Sequence, residues 1–364
     1  MTKPRVLFVG RTRYRLPLSP SLARKFDALA DELDFRVLAS GVAGAEGHDD
    51  RFVLVPPLQR LDGAAFWLAL PFRVAQQLRS FRPEAVVCQT AYEAAATLLA
   101  RRITGTRARV VLEVHGDWRT ATRLYGSPAR RVLNRLADRV AAAAVRRADA
   151  VRTVSPFTAG LVRELGVEPA AEFPAFMDLE PFTRPPEPLP ERPLALFVGV
   201  LEAYKNIDGL AAAWRLAAPR VPQAALRIVG KGARAEIAAA LERELGVRWD
   251  RELSGEEVAA ALDEAWVLVL PSRSEGMGRV IVEAFCRGRG VVGARAGSIP
   301  DLVVDGRTGL LVEPGEPEAL ADALVRVLSD RALAESLGAA AREAAAPWLQ
   351  APEEYARRMR ELVR

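Results

Sequence analysis

From end to end, short apolar runs in this chain alternate with amphipathic stretches, and this pattern constrains the fold more than any other feature. A run such as Ala85–Cys88 or Val110–Val114 is apolar at nearly every position, as a strand covered on both faces must be. Strands of that kind are parallel, and each needs a helix to carry the chain back to the same edge of the sheet. The first half reads as strands at Arg5–Val9, Phe35–Ala39, Ala85–Cys88, Val110–Val114 and Ala150–Val154. Helices are expected near Pro20–Leu33, Leu61–Phe81, Ala91–Arg101, Pro128–Arg147 and Phe157–Leu165. The stretch Phe173–Pro193 then carries seven prolines and little helical periodicity, which reads as a linker. A second series follows, with strands at Leu194–Gly199, Ala225–Val229, Ala265–Leu270 and Gly290–Val292 and helices between and after them. At 364 residues, two domains are expected. The fold class is therefore α/β, with two Rossmann-like, doubly wound domains facing a cleft. The expected divisions are 1–172, a linker over 173–193, 194–346, and a tail over 347–364 that ends in the helix Pro352–Val363.

Composition narrows the class. Half of the residues are hydrophobic and 27% are charged, enough for sizeable cores and too apolar for a disordered chain. Two cysteines, Cys88 and Cys286, cannot make a disulfide framework and read as buried, reduced thiols. The opening MTKPRVLFVG reads as a strand that begins at once, without a secretory apolar region, and Ala64–Phe72 is too short to span a bilayer. A cytoplasmic location is expected. Charge is uneven: residues 1–175 hold 27 Lys and Arg against 17 Asp and Glu, and the remainder 24 against 29. Nine arginines against two acids fall within Arg119–Arg152, mixed with Leu, Val and Ala. Such a face suits an anionic membrane, with Phe66–Phe72 and Tyr14–Leu18 as further apolar contacts, or it is a solvated helix face. No nucleic-acid-binding motif accompanies the arginines, so no nucleic-acid partner is expected.

Several chemistries are excluded by missing motifs. Gly10 is followed by Arg-Thr-Arg-Tyr, so the first strand is not followed by G-x-G-x-x-G. The chain has no Walker A sequence, H-E-x-x-H, C-x-x-C or Asp-x-Asp. The last absence removes the usual carboxylate cradle for a metal holding a diphosphate, so no metal is expected. A nucleotide would have to be held by backbone amides and cationic side chains. The stretch PSRSEGMGRVIVEA at Pro271–Ala284 suits that task. A strand ends at Pro271, a loop with Gly276 and Gly278 follows, and a helix starts whose N-terminus presents unpaired N–H groups and a partial positive charge. Glu275 lies in the loop and Glu283 in the helix. Their spacing alone says nothing, since it recurs at Glu236/Glu244 and Glu335/Glu343 in helices that read as solvated.

PSRSEGMGRVIVEA and the following GVVGARAGSIPDLVVDGRTGLLVEPGEPEALADAL resemble the signature of retaining glycosyltransferases of family four, which have the GT-B fold. FVGVLEAYKNIDGL at Phe197–Leu210, IVGKG at Ile228–Gly232, VHGDW at Val114–Trp118 and VRTVSPFTAGLVRELGV are similar to the family in the same order. The resemblance implies a metal-independent hexosyl transfer, without cofactor, from a nucleotide-linked sugar, UDP- or GDP-linked, to a glycan, lipid or metabolite hydroxyl. It implies catalytic roles for His115, Lys205 and Glu275. It also implies donor binding by Gly10, Gly199, Gly276, Met277, Gly278, Arg279, Val280 and Glu283, with Glu283 on the ribose and Lys205 on the diphosphate. The tail helix is implied to pack on the first domain. Many members carry Arg directly after the glycine at Gly199, where this chain has Val200, and Arg279 or the Arg11–Arg15 loop would have to supply that cation. The usual Pro-Asn-Gly reads Pro174-Ala175-Phe176, and an expected Glu is Asp301. Two other readings of the same features are a nucleotide-sugar epimerase of similar architecture and a non-catalytic nucleotide- or sugar-binding scaffold.

Overall fold

The computed structural model describes residues 2–42, 47–56, 62–120 and 131–364. The expected start of one helix at Pro128, Leu61 at the start of another, and the part of the arginine run over 121–130 lie outside the described residues. The chain divides into two units, Met1–Phe176 with Gln350–Arg364, and Met177–Leu349.

The first unit is built on seven parallel strands: β1 (Arg5–Tyr14), β2 (Asp34–Gly41), β3 (Phe52–Val55), β4 (Ala85–Cys88), β5 (Arg109–Val114), β6 (Ala150–Thr153) and β7 (Ala171–Glu172), in the order β3-β2-β1-β4-β5-β6-β7. The order reverses between β1 and β4, where Val9 stands opposite Cys88. Helices Asp62–Ser80, Ala91–Thr104 and Arg131–Arg147 cover one face of the sheet, packing Leu70, Val74, Ala94 and Val145 on Leu7, Val9 and Leu112. Helices Pro20–Glu32 and Pro352–Val363 cover the other, where Phe26, Leu29, Tyr355 and Met359 meet Val6, Phe8 and Val87.

The second unit has six parallel strands: β8 (Leu194–Val198), β9 (Ala225–Val229), β10 (Arg248–Asp250), β11 (Val267–Leu270), β12 (Gly290–Ala294) and β13 (Gly309–Val312), ordered β10-β9-β8-β11-β12-β13. The reversal here lies between β8 and β11. Open parallel sheets bind ligands at such a reversal, beyond the carboxyl ends of the strands, because the two loops leaving there diverge to opposite faces.

Four strands were not anticipated: β3, β7, β10 and β13. They have two to four residues, and all four lie at the sheet edges. Too short for a periodic signal, they exist because a neighbouring strand offers a ladder. β1 also runs past the expected end at Val9. Its register shifts between Val9 and Arg13, after which Arg13 and Tyr14 pair with Ser40 and Gly41. Tyr14 is pulled into the core by edge-on contacts with Phe26 and Phe52, and Leu16 is buried too. Neither is free to contact a membrane, contrary to the expectation for Tyr14–Leu18.

The proline-rich segment expected as a linker is packed. Met177, Leu179 and Phe182 join one core of the second unit and Leu189 the other. Prolines cannot donate to a ladder, so the carbonyls of such a segment need outside donors. Arginines supply them. Arg287, itself buried, donates to the carbonyls of Arg184 and Pro185, Arg289 to that of Glu187, and Arg331 to those of Leu189 and Pro190. Trp266 Nε1 adds a bond to Pro190 O at 2.8 Å. We expect Phe182→Ala to destabilise the second unit by about 3–5 kcal/mol, as for other buried aromatics, read by urea unfolding. A loss below about 0.5 kcal/mol, typical of an exposed site, would mean that the segment is a tether after all.

Candidate active site

The loop Pro271–Gly278 leaves β11 beside the end of β8. It is stitched to the turn after β8 by two bonds, Asn206 Nδ2 to Pro271 O at 3.1 Å and Arg273 N to Tyr204 O at 2.7 Å. Asn206 adopts a left-handed backbone (φ 56°) and closes a short 3-10 turn, Ala203–Lys205, which turns the lysine inward. The Lys205 ammonium, nearly buried, forms an ion pair with Glu275. Ser272 Oγ donates to the same Glu275 oxygen at 2.8 Å. The backbone of Glu275 is held from its other side by Ser298 N, which donates to Glu275 O at 3.0 Å. That approach requires Gly297: its φ is +58°, and a Cβ there would overlap the Glu275 backbone. Gly199 lies against the stem of Lys205, and a Cβ on it would stand 3.4 Å from Lys205 Cε.

The structure thus brings Lys205, Glu275 and Gly199 together at the reversal point of the second sheet. Gly276 and Met277 continue the half-buried loop. Gly278 caps the helix Arg279–Cys286 with a positive φ of 67°. Ile281 N–H bonds back to Gly278 O, and the amides of Arg279 and Val280 open the helix. Val280 and Glu283 are buried. Glu283 accepts a bond from Arg279 Nε at 2.6 Å. Burial pushes its carboxyl above the usual range, and Arg279 draws it partly back. Arg279 is therefore already engaged with an acid in this structure, where it does not stand free as a cation in place of the arginine missing at Val200. Val200 itself stands 45% exposed.

Gly10 and His115 belong to the first unit. Gly10 lies inside β1 rather than at its end, and its missing Cβ makes room for the Gln89 side chain, which accepts a bond from Thr12 Oγ1 at 2.8 Å. His115 follows β5, its imidazole 39% exposed and its Nε2 3.4 Å from Glu113 Oε2. Glu113 is buried and ion-paired to Arg152, which has no exposed surface. Arg152 also donates to Phe173 O at 3.1 Å and Pro174 O at 2.6 Å, and its guanidinium lies 4.0 Å from the Phe173 ring centre. Tyr355 of the C-terminal helix is 5.5 Å from the same guanidinium. Burial alone would raise the Glu113 carboxyl, but Arg152, aided by His115 and Lys25, overrides it and holds the group at about 2. The carboxylate so fixed orients the His115 ring.

Sequence reasoning missed Ser272, Asn206, Ser298, Glu113 and Arg152. A charged residue inside an apolar strand was the available signal for two of them, Glu113 in RVVLEV and Arg152 in AVRT. A charge there is tolerated only with a partner, and the two residues are each other's partner across adjacent strands.

Because the folded Glu113 carboxyl titrates near 2 and an unfolded one near 4.5, the unfolded chain binds the extra proton between those values. The stabilisation is whole above about pH 4.5 and disappears as pH falls toward 2. We expect Glu113→Gln to flatten the acid limb of Tm against pH. It should also lower stability at pH 7 by about 3–5 kcal/mol, because Arg152 is left buried and unpaired. An acid limb equal to the wild type's would refute the pairing.

Two family models match the chain, Glycosyl transferases group 1 over residues 180–344 and a Glycosyl transferase 4-like domain over residues 19–173. A sulfoquinovosyl transferase of Arabidopsis thaliana is 34% identical over 181 residues, covering 49% of this chain and 35% of the relative. A GDP-mannose-dependent phosphatidylinositol monomannoside mannosyltransferase of Mycolicibacterium smegmatis is 32% identical over 229 residues, covering 56% of this chain and 60% of the relative. The chain thus spans from about a quarter to three fifths of the length of the curated relatives it matches. In fold it is similar to a sucrose-phosphate synthase of Thermosynechococcus elongatus (TM-score 0.80, 20% identity, 99% of each chain). It is also similar to HepE of Anabaena, solved in complex with UDP-glucose (TM-score 0.70, 19% identity, 98% of each chain). With both family models in chain order and a two-domain α/β GT-B fold, this chain belongs to the group 1 glycosyltransferases.

Proposed function

We propose that the chain transfers a sugar from a nucleoside-diphosphate sugar to an acceptor hydroxyl, with retention at the anomeric carbon and without a metal. The observation that carries this reading is the buried Lys205–Glu275 pair at the mouth of the helix that begins at Arg279. When the bond from the anomeric carbon to the diphosphate breaks, negative charge grows on the phosphate oxygen and the sugar becomes oxocarbenium-like. Lys205 supplies a cation and the amides of Arg279 and Val280 supply donors to the departing anion, and fixed groups of this kind stabilise it. Glu275, held by Ser272 and Ser298, sits next to that anion site and faces the sugar. The backbone of Gly276, Met277 and Gly278 meets the sugar and diphosphate, with Gly199 just after β8. Glu283 receives the ribose hydroxyls once Arg279 turns aside. In the transfer, the acceptor oxygen bonds to the anomeric carbon on the face the diphosphate leaves, and its proton passes to the departing phosphate oxygen. In the first unit, His115, oriented by Glu113, and Gly10 are the further residues to which the family resemblance assigns roles in the reaction.

A UDP- or GDP-linked donor fits the names of the relatives, which include a GDP-mannose-dependent enzyme and a UDP-glucose complex. The acceptor class is a glycan, a lipid or a metabolite. A cytoplasmic location and a peripheral contact with an anionic membrane, where a lipid acceptor would be met, complete the reading. Among the described residues no helix is long and apolar enough to cross a membrane.

In EDTA, one nucleoside diphosphate out of UDP, GDP, ADP and dTDP should raise Tm. At a hundred times its Kd the stabilisation is about 2.7 kcal/mol. Glu283→Ala should lose that shift, and Lys205→Ala should lower kcat by roughly 10²–10³. The product should keep the donor's anomeric configuration by NMR. Donor isomerised or hydrolysed without any acceptor would point to the epimerase reading, and a nucleotide shift without turnover to a binding scaffold.

A further inference from the structure

The helical layer over one face of the first sheet has an unusual outer surface. Three neighbouring helices each expose two large apolar side chains one turn apart: Leu68 and Phe72, Leu99 and Ile103, Leu136 and Val140. Leu68 and Phe72 are 76% and 73% exposed, while Phe66 and Leu70 of the same helix are buried, so the outward pair is surplus to the core. Isolated exposed apolar residues are ordinary, but three pairs on one layer are a patch. The surroundings are cationic. The three helices hold nine arginines against three acids, of which Glu93 is buried. At their C-terminal ends lie two shallow hollows. Arg79, Arg82 and Arg107 line one together with Glu84, and Arg101, Arg102 and Arg147 line the other.

We infer that this three-helix face docks on an anionic lipid bilayer, with the apolar pairs entering the headgroup boundary and the arginines binding lipid phosphates. The inference sharpens the membrane contact in the proposed function: it keeps Leu68 and Phe72 of the Phe66–Phe72 stretch and the Arg131–Arg147 part of the arginine run, drops the Tyr14–Leu18 loop, and adds the helix Ala91–Thr104. Charge chooses the occupant. A second copy of this chain meeting the same face would set arginines against arginines, since a two-fold contact pairs a patch with itself. A bilayer offers an apolar interior beneath a negative surface, which matches the two halves of the patch.

The test is partition of the full chain between buffer and phosphatidylcholine vesicles, with and without phosphatidylglycerol, at low and high salt. Wild type should bind only the anionic vesicles and be released by salt. Leu68→Ser with Phe72→Ser should weaken binding at least about tenfold. Arg102→Gln with Arg147→Gln should weaken it about thirtyfold, near a factor of five per arginine. Both changes lie on exposed positions, and unchanged thermal unfolding shows that the variants are folded. Absence of binding to anionic vesicles overturns the inference, as does binding unaffected by the apolar changes. A mass by light scattering that falls from dimer to monomer in the apolar variant would assign the face to self-contact instead. The nucleoside-diphosphate shift, measured on the same preparations, reports on the donor site separately, so either idea can fail alone.

Discussion

The Lys205–Glu275 pair depends on the adjacency of β8 and β11, two strands far apart in the sequence. In an all-parallel sheet every strand ends at the same edge, so loops from distant segments meet there without any local sequence signal. The reversal of strand order leaves a gap into which the turn after β8 and the loop after β11 both project. A buried pair of opposite charges is costly to desolvate and holds only with further hydrogen bonds. Ser272, Asn206 and the Gly297–Ser298 turn fix the loop that carries Glu275, and the 3-10 turn fixes Lys205.

Arginine does three different jobs in this chain, and composition alone did not distinguish them. Arg287, Arg289 and Arg331 act as backbone donors for a segment whose prolines leave its carbonyls without partners. Their planar, forked donors suit several carbonyls at once, which an ammonium would not. Arg152 neutralises a strand carboxylate in the first core and binds two carbonyls near the end of the same unit. On the outer helices, Arg101 pairs with Asp149 and donates to Ala108 O and Arg146 donates to Leu165 O, while Arg102, Arg135, Arg139 and Arg147 are exposed. The proline count suggested a tether because prolines disrupt periodicity. A proline-rich chain can still be ordered when fixed donors line its path.

The central strands and most helices were legible because burial on both faces forces unbroken apolar runs. Edge strands were not, since Arg248–Asp250 and Ala171–Glu172 carry polar residues and owe their form to a neighbour. At the candidate site, Glu275 and Glu283 stood out through context: a proline, flanking glycines and an apolar helix. What holds them could not be read in the same way. Ser272, Ser298 and Asn206 are ordinary residues whose importance comes from which loop lies opposite. Glu113 and Arg152 did carry a signal, a charge within an apolar strand, but each makes sense only once β5 and β6 are known to be neighbours.

The charge arrangement of the donor loop bears on how the proposed reaction would begin. Lys205 is neutralised by Glu275, and Arg279 by Glu283, so the resting side chains sum to zero around the helix mouth. Val200 adds no cation where many family members have an arginine. A nucleoside diphosphate would then meet the helix amides first and draw Lys205 partly away from Glu275. At the same time, ribose hydroxyls would replace Arg279 as partners of Glu283. Freed in this way, Arg279, which is already half exposed, would become available to the phosphates. On the proposed reading, ribose binding at the buried Glu283 carboxyl would release Arg279 toward the leaving group.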